Sequence, residues 1–533
     1  MHYTAAMIVT LIIYVLGGIG LFILGMILMT DGLKTLAGDT LRKMLSRFTG
    51  GKASAITTGI GITALMQSSH ATIIATIGFV SAGLLTFEQS VGIVIGAHIG
   101  TTSTGWLVSL LGLKMQMSMI SLPALGIGAM MRLLGREKVA HIGFIIAGFG
   151  LIFLGIDTLQ TGMKDLSGRI NLSGYTAMTV SGRLLLVAIG IAMTVIMQSS
   201  SAAITMTLAA LNTGTLTLDQ SAALVVGQNI GTTLTAAIAA VGGSTPAKRT
   251  AAAHIIFNVI TACVVFMILP VFLHLLIWSI GLLGGHDPTI ILPAFHTAFN
   301  VFGMCIIVPF IGTFCRLIEM IIPQKGPVLT RNLDFSVAVI PAVAIEAARR
   351  TVRDISVSII EVFIDILVRN EYHAAEQKLA ASDDALAKTR VFLSGVRSKS
   401  GSTSGERARH ISVLHILDHA ENLIECCRET EHIHTIRKDE ALSLLSMELC
   451  GKLQTVISQL NNPDGRDWLK YIEETSALMK EIRKGQREVI LQQTALGGVD
   501  PEEAYRQIEA IRWLDRATYR IWRAAYHIGE EFS

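Results

Sequence analysis

A block of 39 residues occurs twice in this chain, and that repetition limits the possible folds more than any other feature. Gln67–Gly105 and Gln198–Ala236 align without a gap at an offset of 131, with about 18 identical positions. Each copy opens on a polar knot, Gln67-Ser68-Ser69-His70 in the first and Gln198-Ser199-Ser200-Ser201 in the second. Each then reaches a second block, Gly96-Ala97-His98-Ile99-Gly100-Thr101-Thr102 or Gly227-Gln228-Asn229-Ile230-Gly231-Thr232-Thr233. The match extends upstream at an offset of 130, pairing Leu24-Gly25 with Leu154-Gly155 and Gly32 with Gly162. Repeat 1 is expected over about 7–134 and repeat 2 over about 139–280, with a further span at about 290–322. Whatever the first copy folds into, the second repeats.

The surroundings of the repeat decide its solvent. The 533 residues are 51% hydrophobic and 16% charged, well under the charged fraction of about 25% in soluble proteins. Fewer than a third of the 83 charged residues lie before Leu333. A membrane domain is therefore expected over 1–325, a linker over 326–343 with Pro327 and Pro341, and a charged helical domain over 344–533. Met7–Met29 is longer than a signal-peptide core and lacks a basic leader, so it reads as a retained span. Cys263, Cys305, Cys315, Cys426, Cys427 and Cys450 show no metal-ligand spacing, and the last three suit a reduced cytosolic setting. A net charge of +3 gives no reason to expect a nucleic-acid partner.

Full spans fit 7–29, 91–111 and 116–132 in the first repeat, whereas 53–66 and 71–87 are short and broken by the knot. Short, interrupted segments at matching places in two halves are the best sequence pointer to a transporter's binding site. They read as re-entrant helical hairpins meeting near the midplane. Three full crossings per repeat is an odd number, so the second repeat enters from the opposite side. The expected fold is an all-α membrane protein of inverted repeats with two such hairpins, plus a C-terminal cytoplasmic helical bundle. Thirteen Lys and Arg residues fall in loops on one side against four on the other, which places the N-terminus outside and the C-terminal domain in the cytoplasm.

Broken backbone inside a membrane survives only where it lines protein or a water-filled cavity. A half-helix that starts at each knot would present unpaired N–H groups and the positive end of a dipole. The hydroxyls of Ser68, Ser69, Ser199, Ser200 and Ser201 and the amides of Gln67 and Gln198 complete a site for a small oxyanion. No Lys or Arg lies between Lys52 and Lys114 or between Arg183 and Lys248. A bound anion would thus be balanced best by a co-bound cation, and hard oxygen ligands suit sodium. His70 and His98 would supply charge only if protonated. Thr101, Thr102, Thr232, Thr233 and Asn229 are further candidate ligands, on helices expected to begin at the Gly-x-x-Ile-Gly-Thr-Thr blocks. Thr86-Phe87-Glu88-Gln89 and Thr217-Leu218-Asp219-Gln220 fit helix capping boxes and are read as structural. His254 with Asn258, and His296 with Asn300, put two polar groups on one face of an apolar helix, where they either line the cavity or bond across helices.

These residues resemble a known family. The twin Gln-Ser-Ser motifs, the block Gly227–Thr233 and the two His-x-x-Phe-Asn helices are similar to type II sodium–phosphate cotransporters over about residues 7–320. The resemblance implies that Gln67, Ser68, Ser69, Gln198, Ser199, Ser200 and Ser201 bind inorganic phosphate and sodium together, with no organic cofactor. His70, where the family favours Ser, and His98, where repeat 2 has Asn229, depart from the pattern. The C-terminal segment is similar to the PhoU-like domain of bacterial members, and its Glu361 and Asp365 resemble that domain's metal-binding pattern. The expected function is sodium-coupled phosphate transport across the cytoplasmic membrane by a protein that is not an enzyme, with homo-oligomers admitted. The alternatives are a carrier of another small anion and a phosphate-sensing membrane regulator.

Overall fold

The computed structural model describes all residues except 1, 48–50, 114–117, 168–178, 242, 283, 325–327, 335–340, 369–371, 397–403, 462–466 and 530–533. The described residues are helical and contain no strand. Six helices are long and apolar enough to cross a membrane, so the chain is an all-α, multi-pass membrane protein. It divides into two compact units, residues 1–80 with 84–324, and residues 325–533 with 81–83.

The first unit follows the repeat. Its helices are α1 (His2–Arg47), α2 (Lys52–Met66), α3 (Ser69–Ser81), α4 (Phe87–Leu107) and α5 (Ser118–Leu134). The second copy gives α6 (Glu137–Ser167), α7 (Val180–Met197), α8 (Ser200–Asn212), α9 (Leu218–Gly231), α10 (Thr233–Ala240) and α11 (Thr245–Gly281). Two more helices follow, α12 (Pro288–Ile307) and α13 (Ile311–Ile321). At the offset of 131, α3 superposes on α8 in sequence end for end, and the start of α4 falls on the start of α9. Thr86 and Thr217 cap α4 and α9 with complete capping boxes through Gln89 and Gln220, so the structural reading of those motifs holds.

Glycines set how closely the helices approach, and they do so identically in both copies. A Cβ on Gly59 or Gly96 would collide with the backbone oxygen of Ile93 or Ile56, on the facing helices α4 and α2. In α7 and α9 the same collisions involve Gly190 with Leu224 and Gly227 with Val187, all displaced by 131. Between the copies, α1 and α6 run antiparallel: a Cβ on Gly18 would lie 2.9 Å from Gly155 O, and one on Gly25 2.6 Å from Gly148 O. Gly18 and Gly148 are equivalent at the offset of 130, as are Gly25 and Gly155. The contact is therefore its own mirror, the signature of a two-fold relation between the copies.

Three sequence expectations need correction. The segment expected over 71–87 ends at Ser81, because Gly83 takes a left-handed turn (φ 71°) and Thr86 begins the next helix. The first Gly-x-x-Ile-Gly-Thr-Thr block does not begin a helix, and in the second only its last residue, Thr233, does. The first lies inside α4, and the second closes α9 at Gly231. The region expected to cross at 116–132 forms α5, whose apolar part, Met119–Leu134, is shorter than a full span.

The second unit holds α14 (Pro341–Val368), α15 (Tyr372–Ser394), α16 (Ser404–Arg428), α17 (Glu431–Lys438), α18 (Glu440–Asn461), α19 (Asp467–Ala495) and α20 (Pro501–Gly529). Its core centres on Trp513, fully buried against Phe363, with Nε1 donating to Cys426 O at 2.8 Å. Glu361 is exposed, and Asp365 pairs with Lys378 at 3.3 Å. Among the described residues no three His, Cys, Asp or Glu side chains gather as a metal group. Burial pushes the Cys450 thiol up to about 11 and the Cys427 thiol higher still, so both are inert at neutral pH.

Candidate functional site

The two knots are breaks of the same kind. Gln67 and Gln198 end α2 and α7 in the left-handed region, at φ 52° and 51°. They are the only non-glycine residues with positive φ among those described. A side chain held there costs about 1–2 kcal/mol, and such strain gathers where a backbone must be aimed at something. In each copy the chain turns and begins a new helix at once. Ser68 Oγ accepts from Ala71 N at 3.3 Å, and Ser199 Oγ accepts from Ala202 N at 3.2 Å. These serines are helix N-caps, so their oxygens are occupied while their hydroxyl protons stay free to donate.

The knots meet. One cavity of about 70 Å³ is lined by Gln67, Ser68, Ser69 and His70 from the first, and by Gln198, Ser199, Ser200 and Ser201 from the second. At about 10–15 Å³ per water, that volume holds a few waters or one small oxyanion. The starts of α3 and α8 both lie at its wall. Thr232, Thr235, Thr194, Met26 and Ile73 complete the lining.

The two sides of the cavity differ. On the first side, Gln67 Nε2 donates to Ser103 Oγ at 2.9 Å, and Thr104 Oγ1 donates to Gln67 Oε1 at 2.8 Å. Thr63 donates to Thr72 at 3.0 Å, a contact between α2 and α3 across the break at this knot. On the second side, position 203 is alanine where the first has Thr72, and position 234 is leucine where the first has Ser103. Thr194 Oγ1 is buried without a partner as a result, and the Gln198 amide bonds only its own helix, at Val195 O. Thr232 and Thr235 donate their hydroxyl protons back to Asn229 O and Thr232 O, at 2.6 and 2.9 Å. Their oxygens therefore offer only lone pairs to the cavity, as does Gln198 Oε1, while the partnerless Thr194 hydroxyl can either donate or accept. This is the chemistry of a hard cation site, next to serine hydroxyls and helix N-termini that suit an anion.

Of the residues expected at the site, nine line the cavity, namely the eight knot residues and Thr232. Thr101, Thr102 and Thr233 do not. Their hydroxyls turn back to Ala97 O, Ile99 O and Ile230 O on their own helices. Asn229, His98, His254, Asn258, His296 and Asn300 form a separate buried layer, described below. Thr235 and Thr194 were missed. Thr235 stands one turn beyond Thr232 on the same face, and Thr194 one turn before Gln198, so helical spacing from the motif would have found both.

Comparisons with known proteins identify a transporter family. The sequence profile of the family described as "Na+/Pi-cotransporter" matches twice, over residues 21–161 and 156–282. The chain is 33% identical over 254 residues to the uncharacterized protein YqeW of Bacillus subtilis, covering 46% of this chain and 78% of that protein. It is 28% identical over 272 residues to the "Putative inorganic phosphate export protein YjbB" of Escherichia coli K12, covering 51% of this chain and 48% of that protein. A protein of the same description from Salmonella typhimurium is 27% identical over 256 residues. The chain thus spans about half the length of these export-protein relatives. No solved structure matches.

Proposed function

The chain belongs to the Na+/Pi-cotransporter family, a family of transporters rather than enzymes, and from that premise we propose that it carries inorganic phosphate across the cytoplasmic membrane coupled to sodium. One observation carries the reading: two strained Gln–Ser breaks, one from each inverted copy, share a single small cavity. Phosphate sits between the N-termini of α3 and α8 and takes protons from Ser68, Ser69, Ser199, Ser200 and Ser201. Sodium sits on the second side, against Gln198, Thr194, Thr232 and Thr235, and offsets the anion's charge where no Lys or Arg reaches. Alternating access follows from two copies that rock about a shared site. The N-terminus lies outside and the 344–533 domain, PhoU-like in helical content, lies in the cytoplasm as a regulator.

Direction is set by the gradients. The names of the Escherichia coli and Salmonella relatives favour net export as the second reading. Radiolabelled phosphate flux in proteoliposomes, with sodium, potassium and pH varied separately, tests both. Absence of any sodium-dependent phosphate movement would defeat the transporter reading, and sulfate moving in preference to phosphate would replace the substrate.

A further inference from the structure

Beside the knot cavity lies a second polar layer, which meets the cavity lining where Thr232 Oγ1 donates to Asn229 O. His98 on α4 and His254 and Asn258 on α11 are 3%, 0% and 0% exposed. The His98 and His254 rings stand 4.7 Å apart, centre to centre, with Phe257 beside His98 at 5.7 Å. Asn258 Nδ2 donates to the His254 carbonyl at 3.0 Å, which orients its amide. The same nitrogen lies 3.0 Å from His98 Nε2, so that ring nitrogen accepts and His98 is neutral in this packing. Both ring nitrogens of His254 and the Asn258 Oδ1 are buried without partners. At the equivalent place in the second copy, Asn229 Oδ1 lies 3.3 Å from His296 Nε2, and only one ring is present.

We propose that His98 and His254 form a binding site for a single proton, separate from the knot cavity, whose occupation opposes the packing of α4 on α11 seen here. An ionisable side chain inside a membrane is expensive unless it has such a task. Two imidazoles in contact accept one positive charge between them, since a second would be repelled at that distance. A proton on His98 Nε2 turns an acceptor into a donor facing the Asn258 NH2. The amide must then rotate to present Oδ1, which breaks its bond to His254 O. Burying the resulting imidazolium away from water adds a desolvation cost. The proton is therefore taken when water reaches the layer and shed when α4 and α11 close. The coupling runs along α4, because Ser103 and Thr104, one and a half turns beyond His98, hold Gln67.

His296 on α12 lies within electrostatic reach of His98 and is the other buried imidazole near the pair. On the helices packed around the pair, Lys52 pairs with Glu88 at 2.9 Å and Arg249 with Glu319 at 3.3 Å. His70, Asp219, Lys248, His274 and Arg316, with Cys263, Cys305 and Cys315, are the remaining titratable groups there. None is recorded bonded to either ring among the described residues.

The proposal rests on the transport reading, and its test separates the two. In proteoliposomes with equal pH on both sides, sodium-driven phosphate flux is measured across pH for the full-length protein, His98→Asn and His254→Gln. Each is scaled to its own alkaline value, which removes the titration of phosphate itself from the comparison. The acid limb should move by at least about one pH unit, tenfold in proton concentration, in both variants. Superimposable limbs overturn the proposal. Should the variants fail to fold, nitrogen NMR of the histidine-labelled wild type decides instead. A doubly protonated ring in the layer on acidification supports the site, and rings that stay neutral wherever the protein is folded overturn it. An absence of phosphate flux at every pH removes the transport reading, while the NMR result still judges the proton site.

Discussion

The two Gln–Ser knots share a word in the sequence and a backbone in the structure, yet they do different work. Around the first, Thr63 meets Thr72, and Ser103 and Thr104 hold both ends of the Gln67 amide. Around the second, Ala203 and Leu234 replace two of those partners, leaving Thr194 and Gln198 facing the cavity with oxygens unused. On the proposed reading the first knot is braced and offers serine hydroxyls alone, while the second also offers oxygens to a cation. Two-fold symmetry makes the cavity, and on the proposed reading its local failure sets the oxygens for a cation apart from the hydroxyls for an anion.

The largest effect expected comes from the open side. Gln198→Ala and Ser199→Ala should reduce phosphate flux to background with folded protein retained in the membrane; preserved flux in either would remove the second knot from the site. Next come the shared glycines. Gly96→Ala and Gly227→Ala each drive a Cβ into facing backbone, so each should destabilise by about 1–3 kcal/mol and by similar amounts, read as lowered unfolding temperatures in detergent. Unequal losses would show that the close α2–α4 and α7–α9 contacts are not equivalent in strength.

A smaller pair separates bracing from binding directly. Thr104→Val removes the hydroxyl that bonds Gln67 and should cost about 0.5–1.5 kcal/mol of stability. Thr235→Val keeps stability and should raise the sodium concentration for half-maximal flux several-fold. If both variants changed sodium dependence alike, the division of labour would be wrong. The smallest effect belongs to the capping boxes. Thr86→Ala and Thr217→Ala should each lose about 1 kcal/mol and leave sodium and phosphate dependence unchanged. A shift in either ion's dependence would move those threonines from scaffold to site.

Much of the fold was legible without coordinates, for reasons that are local. Apolar length and the cost of unpaired backbone in lipid require helices, and the capping boxes mark where α4 and α9 begin. A Gln-Ser-Ser triplet inside an apolar run has few physical uses besides a lined cavity, so the eight knot residues could be named in advance. The misread residues fail for an equally local reason. A threonine in a helix can turn its hydroxyl to solvent, to a partner or back to a carbonyl three or four residues earlier on its own helix, and composition does not say which. Thr101, Thr102 and Thr233 took the last course.

By itself the sequence determined the repeat, the helical class, the two breaks and the glycines that let equivalent helices touch. Only the tertiary structure decided which polar groups face the cavity. Thr63 and Thr72 stand nine residues apart, too far to meet along one helix, and they meet because the chain turns at Gln67. That contact, and its loss where Thr72 becomes Ala203, depends on two helices converging. Hydrogen bonds formed by convergence leave no periodic trace in a sequence, and here they separate the braced side from the open one.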